Sequence, residues 1–522
     1  MLAFCYNAAM KLDREKWIGG LIILFFLLLI TFPFIVASNA STEDRVFGGL
    51  LINSVDGNSY LAKMRQGYAG NWLFTLPYTA EPGWPAAMNI YYLLLGHMAR
   101  WLDLPLIFTF HAARVIGAFA LAIALFAFFR RVLDHPWQRL LALVIALVGS
   151  GLGWLAASFG YFTGDFWVSE AFPFLASFVN PHFPLGMALQ MSLLIPLQVG
   201  ERFDLRKQVL ILVASAILSV VYPFGLVVAL TVLGIWAIWT IWHHLNWPRE
   251  LRRVVCVGVG GLPYIIYSFV VVNNHPVLTI WNEQNVNSSP NLLNLIVSFS
   301  PPIIFAGWAI LLALRTKDDD LKFLMLWLLS GVIILYIPVN IQRRLSTALY
   351  IPVVTLAVFA ISQLKLRAQR RSVLAIALLF FAFPTTALIL FGAISAARAQ
   401  NLDLFLHRDE VAAFDWLGAN TPPNSLIMAS PKTGNLIPVY SEGRVLYGHP
   451  FETANADERE ALVTLFYSGE FSLPRARETL SAEDVDYIFY GPREHEIGPL
   501  PELTGWQIVY EQGDVQIWAP GE

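Results

Sequence analysis

The chain has 522 residues, 57% of them hydrophobic and only 14% charged, with a formal net charge of −3. Soluble domains carry roughly 25% charged residues, so this composition excludes an ordinary cytosolic protein. The near-neutral balance gives no reason to expect nucleic acid as a partner, and the only two cysteines, Cys5 and Cys256, offer no disulfide framework.

At the N-terminus a basic run (Lys11, Arg14, Lys16) precedes an apolar stretch over 17–37. That stretch is longer than a signal-peptide core of roughly 7 to 15 residues, so it reads as a span that stays in the chain. Stretches of about 20 apolar residues, enough to cross a hydrocarbon core as helix, recur down to Ile394. The periodicity predicts eleven spans: 17–37, 106–129, 138–160, 183–199, 207–223, 225–243, 254–272, 293–314, 321–338, 345–364 and 373–394. The expected fold class is therefore a polytopic α-helical membrane protein.

Lys and Arg collect on cytoplasmic loops. With the N-terminus inside, the inner segments hold nineteen: Lys11, Arg14 and Lys16; Arg130, Arg131 and Arg139; Arg202, Arg206 and Lys207; Arg249, Arg252 and Arg253; Arg315, Lys317 and Lys322; Lys365, Arg367, Arg370 and Arg371. The outer connections before the last span hold six: Arg45, Lys63, Arg65, Arg100, Arg343 and Arg344. The bias predicts a cytoplasmic N-terminus and an extracytoplasmic C-terminal part; the expected location is the plasma (inner) membrane.

Three outer segments are longer than connectors need to be: 38–105, 161–182 and 273–291. Chain length is invested on the outer face, which is where the chemistry is expected. The first segment contains Asp56 in Ser54-Val55-Asp56-Gly57-Asn58-Ser59-Tyr60-Leu61, followed by an aromatic, amphipathic stretch over 84–97 suited to lying along the interface. Asp-Gly is a common turn and Asp a common helix cap. A helix beginning at Asp56 instead puts Tyr60 one turn on and turns the carboxylate, with an aromatic wall, toward the membrane surface.

After about Asn401 charged residues return, and short β-branched and aromatic runs (425–429, 485–490) alternate with a helical stretch over 456–467. The runs 507–510 and 515–518 flank Glu511-Gln512-Gly513-Asp514 and read as a hairpin. The expected organisation is a transmembrane domain over 1–398 and a small extracytoplasmic α/β domain over 399–522.

The acidic residue in the first outer loop, the Gly67–Trp72 stretch and juxtamembrane helix after it, the many spans and the outer C-terminal domain together resemble the GT-C fold membrane glycosyltransferases that use polyprenyl-phosphate sugars, among them the dolichyl-phosphate-mannose-dependent protein mannosyltransferases. The resemblance covers the whole chain in architecture and about fifty residues in detail. Many members carry an acidic pair where this chain has Asp56-Gly57, which leaves a second acid unassigned. The resemblance implies an inverting transfer with Asp56 as general base, from a polyprenyl-phosphate sugar to a lipid, glycan or protein acceptor, within membrane lipid.

A phosphate leaving group needs cations rather than a general acid. Arg343 and Arg344 are the paired cations of the short outer loops, against the alternative of snorkelling to the interface. Arg114, inside the second span and one turn from His111, is a further phosphate candidate, against the alternative of tying two helices together. Asp165 and Glu170 are candidates for the second acid, or for holding a divalent cation with Asp56. His182, Tyr60 and Lys63 are candidate substrate contacts. No Cys/His cluster has zinc spacing, and no P-loop or dinucleotide fingerprint occurs; the one cofactor these residues leave open is a divalent cation. The competing readings are a flippase or transporter for lipid-linked saccharides, an oligosaccharide polymerase or ligase, and a non-catalytic sensor; nearly charge-free spans argue against a polar translocation path.

Overall fold

A computed structural model describes residues 2–198 and 200–521, with side chains from Arg14 onward; the side chains of Cys5 and Lys11 lie outside the described residues. The chain is a multi-pass, mostly helical membrane protein. Among the described residues seven helical runs are long and apolar enough to cross a membrane: Arg14–Asn39, Leu106–Val132, Pro136–Ala157, Pro223–Trp242, Trp247–Asn274, Gln342–Gln363 and Ala368–Arg398.

These seven cover seven of the eleven predicted stretches. Three others form helices of 13, 17 and 16 residues, His182–Leu194, Leu205–Val221 and Asp319–Ile334, at or below the shortest crossing length of roughly 17 residues. The stretch predicted over 293–314 is not one straight helix: Leu292–Phe299 and Pro302–Ala313 meet at 97°. Pro301 and Pro302 cause the break. A residue preceding proline is pushed out of the helical region, and Ser300 sits at φ −81°, ψ 147°.

The backbone divides into two compact units. The first comprises residues up to Pro33, Ala112–Tyr267 and Asn287–Ala393. Its centre is the Gln342–Gln363 run, 89% of whose most apolar window is buried, whereas only 17% of the Trp247–Asn274 window is buried. A helix buried all round belongs inside a bundle, and one with a wide apolar exposed face belongs against lipid.

The second unit comprises Phe34–His111, Ser268–Val286 and the chain from Ile394. Strand β1 (Arg45–Phe47) pairs antiparallel with β2 (Phe405–His407), Val46 opposite Leu406, and so joins the first long loop to the C-terminal region. Strands β3 (Leu426–Met428), β4 (Arg444–Val445), β5 (Tyr487–Tyr490), β6 (Trp506–Gln512) and β7 (Val515–Pro520) form a mixed sheet in the order β4-β3-β5-β7-β6. The predicted hairpin is the β6/β7 pair. Ala62 and Tyr78, from the first loop, pack into the same core as Phe414, Ile437, Phe489 and Ile517.

Two helices of the first loop, Ser54–Ala69 and Ile90–Trp101, cross at glycines. A Cβ on Gly67 would lie 2.1 Å from the Leu93 carbonyl oxygen, and one on Gly96 would lie 2.0 Å from that of Met64. The backbones therefore touch, which only glycine permits. The helix predicted from residue 84 begins at Ile90, because Pro85 and the left-handed Asn89 (φ 53°) hold the preceding residues out of it. Its outer stripe, Leu94, Met98 and Trp101, is exposed, while Tyr92, Leu93, Leu95 and Ala99 are buried.

Candidate functional site

Asp56 lies in the first turn of the Ser54–Ala69 helix, not in an isolated turn. An acidic side chain there is favoured by the unpaired N–H groups and positive end of the helix. Asn53, the N-cap, has φ 53° and makes no side-chain cap; its amide instead donates to Asp56 Oδ2 at 2.7 Å. The other oxygen, Oδ1, lies 3.1 Å from Nε2 of His449. The carboxylate is 41% exposed and the imidazole 3%, so a buried ring holds a carboxylate that stays open to an incoming molecule.

His449 is oriented by its own loop. Its Nδ1 accepts the backbone N–H groups of Phe451 and Glu452 at 3.1 and 3.2 Å. An imidazole nitrogen that accepts two bonds carries no proton, so in the neutral ring the proton is on Nε2 and points at Asp56. The threonine hydroxyl of Thr453 accepts from the N–H groups of Gly448 and His449 at 3.3 and 3.2 Å and closes the turn. Gly448 packs on Gly434 and Tyr78, where a Cβ would come within 2.6 Å of each.

Further along the same helix face, Ser59 and Lys63 meet Glu452. The Lys63 ammonium donates to Glu452 Oε1 and to the Ser59 hydroxyl, each at 2.6 Å, and the hydroxyl donates to Oε1 at 2.6 Å. Burial pushes the Glu452 carboxyl up, but the Lys63 charge and the hydrogen bonds from Lys63 and Ser59 hold the group below the usual glutamate range. Asn58 donates to Asn435 Oδ1 at 2.8 Å, and Asn435 donates to the carbonyls of Val55 and Gly448. The loop 448–453 is thus fastened to positions 56, 59 and 63 of one helix, and Asn435, which holds Gly448, is fastened to positions 55 and 58.

Of the residues singled out from the sequence, Asp56, Tyr60 and Lys63 come together here. Tyr60 stacks on Tyr92 with centroids 4.4 Å apart, and the Lys63 nitrogen lies 5.1 Å from the Tyr60 ring centre. Lys63 is 3% exposed and already matched by a carboxylate.

The others belong to the first unit. Arg343 pairs with Glu170 at 3.4 Å and lies over the Trp167 ring at 5.4 Å; Arg344 lies over Phe224 at 5.1 Å. Arg114, 1% exposed, donates to the carbonyls of Ser177 at 2.9 Å and Ile30 at 3.3 Å. Asp165 is 1% exposed, and its oxygens accept from the backbone N–H groups of Gly151 and Gly153 and the Thr163 hydroxyl. Burial pushes its carboxyl up in spite of those bonds. His182 opens the His182–Leu194 helix with its ring 4.1 Å from that of Phe183 and 5.9 Å from that of Tyr222.

Among the described residues no three His, Cys, Asp or Glu side chains gather in a group suited to a metal ion. His449, Glu452, Asn53 and Asn435 escaped the sequence reading. Asn53, three residues before Asp56, had a local signal; His449 and Glu452 come from a distant loop, and Asn435 from the Pro431–Tyr440 helix.

No protein-family model matches the chain, and no curated protein matches it. Solved structures do. The archaeal oligosaccharyltransferase AglB from Archaeoglobus fulgidus, in complex with an inhibitory peptide and a dolichol-phosphate, superposes with a TM-score of 0.56 at 11% identity, covering 91% of this chain and 69% of that one. ArnT from Cupriavidus metallidurans in the apo state gives 0.50 at 12% identity, covering 95% and 97%. The mycobacterial arabinofuranosyltransferase AftD gives 0.52 at 14% identity, covering 97% of this chain and 40% of that one. The chain has the GT-C fold that these membrane glycosyltransferases share.

Proposed function

We propose that this protein is an integral membrane glycosyltransferase that moves a sugar from a polyprenyl-phosphate donor to a lipid, glycan or protein acceptor. The observation that carries the reading is Asp56: a half-exposed carboxylate on a helix's first turn, held by Asn53 and His449. The GT-C fold agrees with it, since one of the similar structures holds a dolichol-phosphate. In the reaction, an acceptor hydroxyl or amine gives its proton to Asp56 as its lone pair attacks the anomeric carbon. The bond from that carbon to the phosphate oxygen breaks, its electron pair leaves on polyprenyl phosphate, and configuration inverts. Arg343 and Arg344 are assigned to the phosphate charge. A cytoplasmic N-terminus and an extracytoplasmic domain over 399–522 complete the reading, supported by the charge count of the loops.

The test uses membranes containing the protein and a labelled polyprenyl-phosphate sugar. Asp56→Asn keeps the size of the side chain and removes the base, so transfer is lost while expression and thermal stability hold. Transfer that survives this substitution removes Asp56 from its role. Movement of label across vesicles with no covalent product establishes the flippase instead.

A further inference from the structure

We infer that His449 is the positioning residue of this site: its Nε2–H fixes the Asp56 carboxylate in the orientation and charge state that proton abstraction requires. The inference rests on the reading of Asp56 as the base.

Three observations carry it. The ring is 3% exposed and fixed at both ends, by two backbone N–H groups on Nδ1 and by Asp56 Oδ1 on Nε2. Its tautomer is set by those backbone donors and not by Asp56, so the loop presents a preformed donor whether or not substrate is bound. The loop itself is anchored one turn further on by Glu452 to Ser59 and Lys63, and by Asn435 to Gly448 and Val55. Asp56 alone could rotate about its side-chain torsions on an exposed helix end. With Oδ1 tied to His449 and Oδ2 accepting from the exposed Asn53 amide, that rotation is stopped.

The titratable groups packed about the pair are Glu452 and Lys63, from the same loop and helix, and Tyr78, whose ring centre is 5.8 Å from that of the imidazole. A hydrogen bond to a carboxylate favours its charged form. Loss of this donor therefore raises the pH at which the base becomes protonated, and the acidic limb of the turnover profile moves up with it.

The full-length enzyme, purified in detergent, is assayed with a short-chain polyprenyl-phosphate sugar as His449→Met, which keeps the volume and removes the donor, and as His449→Gln, whose amide can replace Nε2–H. Expected for His449→Met is a kcat at least about tenfold lower, an unchanged KM for the donor and an acidic limb displaced upward by about one pH unit, roughly what one lost charge-assisted bond is worth. His449→Gln should recover most of kcat and return the limb. A limb that does not move in His449→Met, or a Gln variant no better than Met, overturns the positioning role. The result is separable from the underlying reading: a dead Asp56→Asn with an unaltered His449→Met removes only His449, whereas an active Asp56→Asn removes both. If His449→Met fails to fold, His449→Gln decides, because loss of turnover in that variant with wild-type stability also overturns the assignment.

Discussion

Lys63 and Glu452 stand 389 positions apart in sequence and 2.6 Å apart in the folded chain, with the ammonium 3% and the carboxylate 11% exposed. Removing one member of a buried pair strands the other, at a cost of about 3 to 5 kcal/mol. Glu452→Leu or Lys63→Met should therefore lower the melting temperature sharply. Glu452 Oε2 is buried with no hydrogen-bond partner among the described residues, so the pair is incompletely satisfied. The double variant Lys63→Met/Glu452→Leu should regain most of the loss, and thermal unfolding of the three proteins in one detergent measures it. A double variant as unstable as either single one contradicts the argument.

The same pair sets an acid response. Folding depresses the Glu452 carboxyl, so its contribution is fully present above the unfolded value of roughly 4.3 and disappears as pH falls through the lower folded value. Wild-type stability should drop below about pH 4.3 more steeply than that of Lys63→Met/Glu452→Leu, with the two curves parallel between pH 5 and 8. Melting curves across that range check it; equal acid slopes would show that Glu452 does not titrate on unfolding in this window.

How far the sequence reaches differs between the two halves of this problem. The long apolar helices were legible because burial in lipid leaves a run of about 20 apolar residues in the chain itself. Asp56 was legible because its neighbours are local: Tyr60 is one turn on, and the helix that holds both is continuous. The break at Ser300 was not, although Pro301 and Pro302 were in plain view, because hydropathy averages over a bend. His449 and Glu452 left no mark. A Gly-His-Pro turn looks like any polar loop, and its partners lie 393 and 389 residues away; only the pairing of β1 with β2 and the shared core bring those segments together.

The glycine crossing beneath the site should tolerate no side chain. A Cβ at Gly96 meets the Met64 carbonyl at 2.0 Å and the Tyr68 nitrogen at 2.8 Å, both backbone atoms that cannot turn aside. Gly96→Ala should therefore cost at least about 3 kcal/mol, the upper end of ordinary overpacking. It should also lower transfer by displacing the helix that carries Asp56. Thermal unfolding and initial transfer rates test both halves, and a variant that melts with wild type shows that the helices can part without cost.

Arg114 answers a different question. Its guanidinium reaches two carbonyls, Ser177 and Ile30, inside the first unit, which is the geometry of a tie between segments of backbone. Each bond from a charged donor is worth about 1.5 to 3 kcal/mol. Arg114→Met should destabilise the protein by about 2 to 4 kcal/mol and leave the KM for the donor unchanged; a raised KM at wild-type stability would instead assign the guanidinium to the phosphate.

Arg343 and Arg344 should separate by their present partners. Arg343 is held by Glu170, whose side chain is 4% exposed, so Arg343→Ala leaves a buried carboxylate uncompensated and lowers stability as well as donor binding. Arg344 rests on the Phe224 ring, a contact worth about 0.5 to 1 kcal/mol at an exposed site. Its charge is therefore the one more freely lent to a ligand. Arg344→Ala should raise the KM for a polyprenyl-phosphate sugar by about tenfold to a hundredfold, as the loss of one or two charge-assisted bonds to a phosphate requires. Arg344→Lys should recover little of that loss, because a point charge does not replace a planar fork. Donor titrations at fixed acceptor measure the change. An Arg344→Ala enzyme with wild-type donor dependence, in a protein of wild-type stability, removes Arg344 from the phosphate and leaves Arg343 as the cation to test.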